Sequence, residues 1–403
     1  MKIHLDNTNK SIKNPTISIS GSKSESNRML ILKEFYPNIT LKNISNSKDS
    51  TVLQQALSSV KPEINIGHTG TAMRFLTAFF ANKNGNEIVL TGSNRMQKRP
   101  VKILVDALIA LGADITYLKN NGFPPLKIKG KTLHKNKVPI SGNVSSQYIT
   151  ALLLLAPSLK NGLEITLKGK ITSKPYIKMT LNLLQKIGVQ TQWNNNIIKI
   201  YPKKNIQDST ITIESDWSSA SYFYSFIALS GNASVSLNKF FKDSLQGDSK
   251  LADIYKHFGV TTIFKEDTIV LKKEKDFTQK KHLTFNLNDT PDLAQTVAIT
   301  CVGLGLSCKI TGLHTLKIKE TDRLEALKTE LKKLRAKVKI TDESIHIKPE
   351  KLNAGITIKT YDDHRMAMAF APLSLKIPIN IENPDVVEKS YPDFWKDVEQ
   401  LFL

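Results

Sequence analysis

Cysteine is scarce: Cys301 and Cys308 are the only two among 403 residues, and both lie in the apolar stretch 296–310. Their spacing fits no zinc pattern and provides no disulfide framework, so they read as buried free thiols in a reducing compartment. Aromatic residues are also few, at 7%. A protein that binds RNA or processes RNA ends should interleave stacking rings with a basic stripe, and no such stripe is evident. No apolar run approaches the length of a membrane span; 151–156 is the greasiest piece and far too short. The amino terminus, MKIHLDNTNKSIKN, lacks the apolar core of a signal peptide, so a soluble, cytoplasmic protein is expected. Acidic residues are outnumbered, 36 against 57 Lys and Arg, for a net charge of +21. Such an excess suits nucleic acid, an anionic membrane or small anionic substrates. Here the basic residues are scattered without a dense arm, so most of them read as a solvated lysine surface. No spacing of His, Cys, Asp or Glu resembles a metal site.

What the chain does contain is a repeat. A length of 403 residues predicts two domains. Six short β-branched strands follow apolar helix-like stretches: ITLKN, IVLTG, ITLKG, VSLNK, CKITG and INIEN. They end at Asn43, Gly92, Gly169, Lys239, Gly312 and Asn383, so that after a first interval of 49 the spacings are 70–77 residues. A second series falls between them, an amphipathic helix turning into a strand at a glycine. It appears in LVDALIALGADITY, LNLLQKIGVQTQW and LADIYKHFGVTTIF, and again in LKTELKKLRAKVKI with Arg335 in the glycine position. Units of this size are too long for a thin solenoid and fit two similar α/β lobes of three units each.

Charged and small polar residues gather where helices begin. In ISISGSKSESNRML a strand-like alternation ends at Gly21, and Lys23, Ser24 and Arg28 follow at a helix start, which suits a phosphate or carboxylate. The glycine spacing of a nucleotide P-loop is absent. In NIGHTGTAMRFL, Gly67 and Gly70 allow close backbone approach to a ligand, and Arg74 lies one turn inside a helix expected over 71–80. Arg95, Lys98 and Arg99 precede Pro100 as an exposed loop or an anion clamp, with Arg95 the favoured member. Ser145, Ser146 and Gln147 precede a very apolar helix; capping explains one serine, and a polyol or phosphate would use the rest. Ser173 and Tyr176 stand at a comparable junction. The second half supplies carboxylates: Asp292 after Pro291 at a helix start, and Lys319, Glu320, Asp322 and Arg323 within five residues. Alone, the latter group reads as a solvated helix face. His364 and Arg365 lie directly before an apolar helix, and Lys389 near the carboxyl end.

Taken in order, these pieces resemble the motifs of the 5-enolpyruvylshikimate-3-phosphate synthase family. The resemblance runs through GSKSESNR, GTAMR, RMQKRP, SSQYITALLLLAP, SKPYI, DWSSASYF, TPDLAQTVA, KETDRL, DDHRMAMAF and KSYPDF, from Gly21 to Phe394. Each motif is weak alone; ten in family order are specific. The resemblance implies a two-lobed inside-out α/β barrel of six repeated βαβαββ-type units, with the substrates between the lobes. Residues 1–20 and 215–403 would form lobe one, and 21–214 lobe two. The implied activity transfers the enolpyruvyl group of phosphoenolpyruvate to shikimate 3-phosphate, in chorismate and aromatic amino acid biosynthesis, by a monomer without metal or organic cofactor. By the same resemblance Lys23, Ser24, Arg28, Ser145, Ser146, Gln147, Ser173, Tyr176, Asp292, Thr315 and Lys319 hold shikimate 3-phosphate. Lys23, Gly70, Arg95, Gln147, Arg323, His364, Arg365 and Lys389 hold phosphoenolpyruvate, and Arg74 supports the Gly-rich turn. Lys23, Asp292 and Glu320 are the candidates for proton transfer.

Four positions depart from the family pattern. His68 stands where Asn is common, Phe75 for Pro, Thr315 for Asn, and Trp217 is bulky beside a lobe crossing. Gly70 is the small residue usual in members sensitive to glyphosate, an expected inhibitor. The related transferase acting on UDP-N-acetylglucosamine is the nearest alternative. It usually carries a reactive cysteine on a loop of the second lobe, whereas both cysteines here fall in an apolar segment of the other lobe.

Overall fold

The computed structural model describes residues 1–143 and 145–403, with Ile318 by its backbone only. Its packing divides into a split unit, Met1–Ser22 with Glu214–Leu403, and a continuous unit, Lys23–Ile213. The sequence placed these crossings at 20/21 and 214/215. The backbone shows why they fall at Ser22/Lys23 and Ile213/Glu214. The Ser22 N–H donates to the Glu214 carbonyl at 2.7 Å, Gly21 bridges antiparallel to Ser215, and the Ser215 hydroxyl donates to the Ile19 carbonyl at 2.7 Å. Both crossing strands are therefore tied down inside the split unit.

The six repeated strands each belong to a different sheet. In the continuous unit Glu63–Asn65 pairs parallel with Glu87–Thr91, which pairs antiparallel with Leu126–Lys129 and through it with Asp114–Tyr117. Lys137–Ser141, Leu163–Lys168, Ile197–Ile200 and Thr191–Asn194 repeat that order. The split unit repeats it twice more. One sheet runs Thr16–Ile17, Ser234–Asn238, Thr268–Lys273, Val260–Lys265, and the other His282–Asn286, Ser307–Thr311, Ser344–Lys348, Lys337–Ile340. Two shortened copies complete the set: Ser209–Thr212 parallel to Ile39–Lys42, and Ile356–Ile358 parallel to Ile379–Glu382, which also takes Lys2–Leu5 antiparallel.

Five of the six end residues of the repeat, all but Gly92, have a common conformational reason. Asn43, Gly169, Lys239, Gly312 and Asn383 have φ of 57°, 75°, 62°, 78° and 47°, and the helix-ending turns at Gly112, Gly188, Gly259 and Arg335 have 109°, 82°, 68° and 64°. The left-handed region favours Gly and tolerates Asn, so those residues recur; Lys239 and Arg335 occupy it at a cost on the order of 1 kcal/mol each.

Within each unit the helices lie inside. Gly70–Ala81 packs on Ser146–Leu155 and against Lys23–Phe35, while in the split unit Ala294–Gly303 packs on Trp217–Leu229 and His364–Phe370. These helices are buried almost all round, which is why their sequences lack a polar face. Trp217, the bulky residue beside the crossing, belongs to this core. It is fully buried, its ring edge-on to Phe240 at 5.0 Å, and its Nε1 donates to Glu214 Oε1 at 2.7 Å. Burial pushes the Glu214 carboxyl up, and hydrogen bonds from Ser244, the Phe241 N–H, Trp217 and Gln246 pull against it.

Candidate active site

Almost every motif singled out in the sequence opens a helix, so its charges and hydroxyls gather at helix starts, where backbone N–H groups are free. In the split unit Asp292 lies in the 3₁₀ turn Pro291–Leu293, ahead of Ala294–Gly303. Lys319 and Glu320 follow the turn His314–Ile318, and Arg323 opens Arg323–Lys333 behind the cap Asp322. His364 and Arg365 open His364–Phe370 behind the cap Asp363, and Lys389 closes Pro384–Lys389.

Arg323 is the hub of this cluster. KETDR is not a solvated face, because Arg323 is 2% exposed and its guanidinium serves three carboxylates. Nε donates to Asp363 Oδ2 at 2.7 Å, Nη1 to Asp292 Oδ1 at 2.9 Å, and Nη2 to Glu320 Oε2 at 2.9 Å. Lys389 Nζ donates to Glu320 Oε1 at 2.9 Å; Arg365 Nη2 lies 3.0 Å from Asp292 Oδ2, and Lys319 Nζ 3.6 Å from Asp292 Oδ1. Four cations thus surround three carboxylates, leaving an excess of positive charge suited to an anionic ligand. Burial alone would raise the Asp292 carboxyl, but Arg365, Lys319 and Arg323 together hold it well below the usual range. Burial likewise opposes the charge on Arg323, and Asp363, Glu320 and Asp292 outweigh it, raising its pKa. His364 is buried, with Nδ1 3.7 Å from Asp363 Oδ1. The enclosed Thr315 hydroxyl makes no hydrogen bond among the described residues.

The continuous unit gathers a second group. Lys23 opens Lys23–Phe35, with Nζ 3.3 Å from Asp49 Oδ2, and Ser24 follows it. Arg28 is buried beneath them and ties three helices together. Its Nε donates to Thr180 Oγ1 at 2.9 Å, Nη1 to the Ser24 carbonyl at 2.6 Å, and Nη2 to Thr150 Oγ1 and the Tyr176 carbonyl at 3.4 Å each. Ser145 caps Ser146–Leu155 by accepting the Gln147 N–H, and Gln147 Nε2 reaches Thr71 Oγ1 at 3.4 Å. Ser173, ahead of Lys174–Lys186, has φ 52° and makes no capping bond, so capping does not explain it. Arg74 Nη1 and Nη2 donate to the carbonyls of Gly70 and Pro100, bracing the Gly-rich turn.

The cations before Pro100 are placed differently from one another. Arg95 is exposed at the entry to Met96–Lys98, whereas Arg99 reaches Gly70: a β-carbon there would lie 2.6 Å from its Nη1. His68 is exposed and shares a 2.9 Å hydrogen bond with Ser93 Oγ, while Phe75 is buried with the Arg28 guanidinium 5.8 Å above its ring. Asp363 and Asp49 were missed. Both precede or open a helix, and an aspartate there reads equally well as a cap. Among the described residues no group of three His, Cys, Asp or Glu side chains is placed to hold a metal ion.

Residues 38–398 match the family EPSP synthase (3-phosphoshikimate 1-carboxyvinyltransferase). The chain belongs to that family. It is 45% identical over 390 residues to a 3-phosphoshikimate 1-carboxyvinyltransferase of Bacteroides fragilis (strain YCH46), covering 96% of this chain and 94% of that one. With the Haemophilus influenzae (strain Rd) protein of the same name it shares 36% identity over 425 residues, 96% of each chain. An EPSP synthase structure from Acinetobacter baumannii superimposes with a TM-score of 0.79 at 20% identity, covering 100% of this chain and 98% of the other, so the two share the fold. The inside-out α/β architecture is thus that of the EPSP synthases.

Proposed function

We propose that this chain transfers the enolpyruvyl group of phosphoenolpyruvate to the 5-hydroxyl of shikimate 3-phosphate, releasing phosphate. The observation that carries the assignment to residues is the Arg323 cluster, in which Asp292 and Glu320 are held by cations on every side inside a chain that matches its family over nearly its whole length.

The chemistry moves two protons. The 5-hydroxyl loses one as it attacks C2 of phosphoenolpyruvate, and C3 gains one; expulsion of phosphate from the tetrahedral intermediate then removes a proton from C3 again. Asp292, held ionised by Arg365, Lys319 and Arg323, accepts the hydroxyl proton or its hydrogen bond. Lys23, Asp292 and Glu320 are the candidates for the C3 proton, where one group acts first as acid and then as base. Arg323, His364, Arg365 and Lys389, with Lys23, Gly70, Arg95 and Gln147, bind phosphoenolpyruvate and stabilise charge as it develops on the departing phosphate. Lys23, Ser24, Arg28, Ser145, Ser146, Gln147, Ser173, Tyr176, Asp292, Thr315 and Lys319 bind shikimate 3-phosphate. Glyphosate, a cytoplasmic location and a monomeric state belong to the same reading and rest on family resemblance.

The sister reaction on UDP-N-acetylglucosamine is disfavoured by the cysteines. Cys301 sits in Ala294–Gly303 and Cys308 in Ser307–Thr311, both buried, and burial pushes the Cys301 thiol well up, away from the reactive thiolate. The test is phosphate release from phosphoenolpyruvate with shikimate 3-phosphate or UDP-N-acetylglucosamine as acceptor, with the product weighed by mass spectrometry. Release that depends on shikimate 3-phosphate is expected. Release with the sugar nucleotide alone would overturn the proposal.

A further inference from the structure

His364 and Arg365 reach their places through a backbone that pays a steric penalty. Between Ile356–Ile358 and His364–Phe370 the chain reverses through Tyr361 and Asp362, with φ of 55° and 54° in succession. A left-handed residue without glycine is costly, more so for an aromatic one, and two in a row persist only where the surroundings over-determine them. The surroundings here are one face of Arg323–Lys333. Arg323 grips the far end of the turn, with Nε and Nη2 donating to the two Asp363 oxygens at 2.7 and 3.3 Å. Glu330, seven residues on, lies about two helical turns further along the same face, roughly 10 Å away. It is fully buried and grips the near end: Oε1 accepts from the Tyr361 hydroxyl at 2.7 Å, and Oε2 from the Lys359 N–H at 3.1 Å. Lys333, whose Nζ donates to Glu330 Oε2 at 2.5 Å, balances its charge. The Asp363 carboxylate so fixed also accepts the Arg365 N–H at 3.0 Å.

We propose that Glu330 and Tyr361 are positioning residues: they hold the left-handed turn in register with Arg323 and so set His364 and Arg365 for phosphoenolpyruvate. The bonds of this strap run from Glu330 to the Tyr361 hydroxyl, the Lys359 N–H and Lys333. The inference rests on the assignment of His364 and Arg365 to phosphoenolpyruvate given above.

The test compares Tyr361→Phe, Glu330→Gln, Tyr361→Gly and Arg365→Lys in the full-length enzyme, with steady-state kinetics and amide exchange over 359–366. Loss of a hydrogen bond to a carboxylate predicts a fall of roughly tenfold or more in kcat/KM for phosphoenolpyruvate in Tyr361→Phe and Glu330→Gln. The dissociation constant for shikimate 3-phosphate should change less than twofold, and exchange at Asp363 and Arg365 should quicken. Tyr361→Gly removes the anchor together with the backbone penalty, so it should keep more activity per folded molecule than Tyr361→Phe. A role in packing alone predicts the reverse order, because Gly deletes the ring. That reversed order, or unchanged kinetics and exchange in both single-atom variants, would overturn the proposal. Arg365→Lys separates the underlying assignment: if it leaves the KM for phosphoenolpyruvate unchanged, that assignment fails, whatever the strap does. If it raises the KM while Tyr361→Phe and Glu330→Gln do not, the strap fails alone.

Discussion

Asp248 is fully enclosed in the split unit, one carboxylate oxygen accepting from Ser218 at 2.5 Å and the other making no hydrogen bond among the described residues. Burial, with Asp292 nearby, raises its carboxyl from the ordinary 3.8 to about 7, against the pull of Ser218 and Arg365. The consequence for stability has a definite sign. Below about pH 4 the group is neutral in folded and unfolded chains alike. From there to about pH 7 the unfolded chain releases its proton and the folded chain retains it, so stability falls as pH rises, and above that range the loss is complete. The gap corresponds to a loss on the order of 4 kcal/mol, at 1.36 kcal/mol for each pKa unit. Asp248→Asn keeps an acceptor for Ser218 and cannot ionise. It should therefore lose this slope, and at pH 8 gain roughly 1–3 kcal/mol once the cost of a buried amide N–H is set against the relief. Urea unfolding between pH 4.5 and 8.5 can follow the split unit through Trp217 and Trp395, with Trp193 reporting on the other unit. The difference between variant and parent cancels the titrating groups that do not interact with Asp248 and leaves Asp248 with its coupled neighbours. Curves that stay parallel from pH 4.5 to 8.5 would refute the reasoning.

Asp292→Asn and Glu320→Gln should each lower kcat by a hundredfold or so, the usual scale for a positioned acid or base; near-normal turnover in both would end the proton-transfer assignment. Gly70→Ala places a methyl group 2.6 Å from Arg99 Nη1, which must swing away. Because the displaced atom ends a flexible side chain, the melting temperature should hold while the KM for phosphoenolpyruvate rises, and Arg99→Ala should erase the difference between Gly and Ala at position 70. Arg335→Gly removes a side chain from a residue at φ 64°, and chemical denaturation should show a gain of up to about 1 kcal/mol.

The repeat was readable because its end residues answer a local demand. Gly and Asn recur where φ is positive, and periodic strands and helices mark the spacing between them. Lys239 and Arg335 have no such preference and could be placed only by alignment with the other copies. Other lead strands escaped notice, since Glu63–Asn65 and Ile356–Ile358 have three residues each, too few to show a period; the alternation read up to Gly21 overlaps Thr16–Ile17, which is defined by its parallel partner Ser234–Asn238. The site divides along the same line. Lys23, Ser145, Ser173, His364 and Arg365 stand out as polar groups at helix starts. The bond from Arg323 to Asp363 joins residues 40 apart in the chain, so KETDR looked like a solvated surface until tertiary packing closed over it. Asp248 lies in a stretch of turn residues, and nothing local distinguishes a buried aspartate there from an exposed one.

The split unit borrows its first strands from the far end of the chain. Among the described residues Lys2–Leu5 pairs with Ile379–Glu382, and Thr16–Ile17 with Ser234–Asn238. On a ribosome making 5–20 residues per second, Lys23–Ile213 is available to fold about 8–34 s before Ile379–Glu382 is complete. Through that interval Lys2–Leu5 waits with an open edge, exposed to any other chain that offers a complementary strand, whereas Thr16–Ile17 meets Ser234–Asn238 soon after residue 213. Slowing elongation beyond residue 213 should lengthen that exposure and lower the yield of native enzyme, while leaving the continuous unit intact.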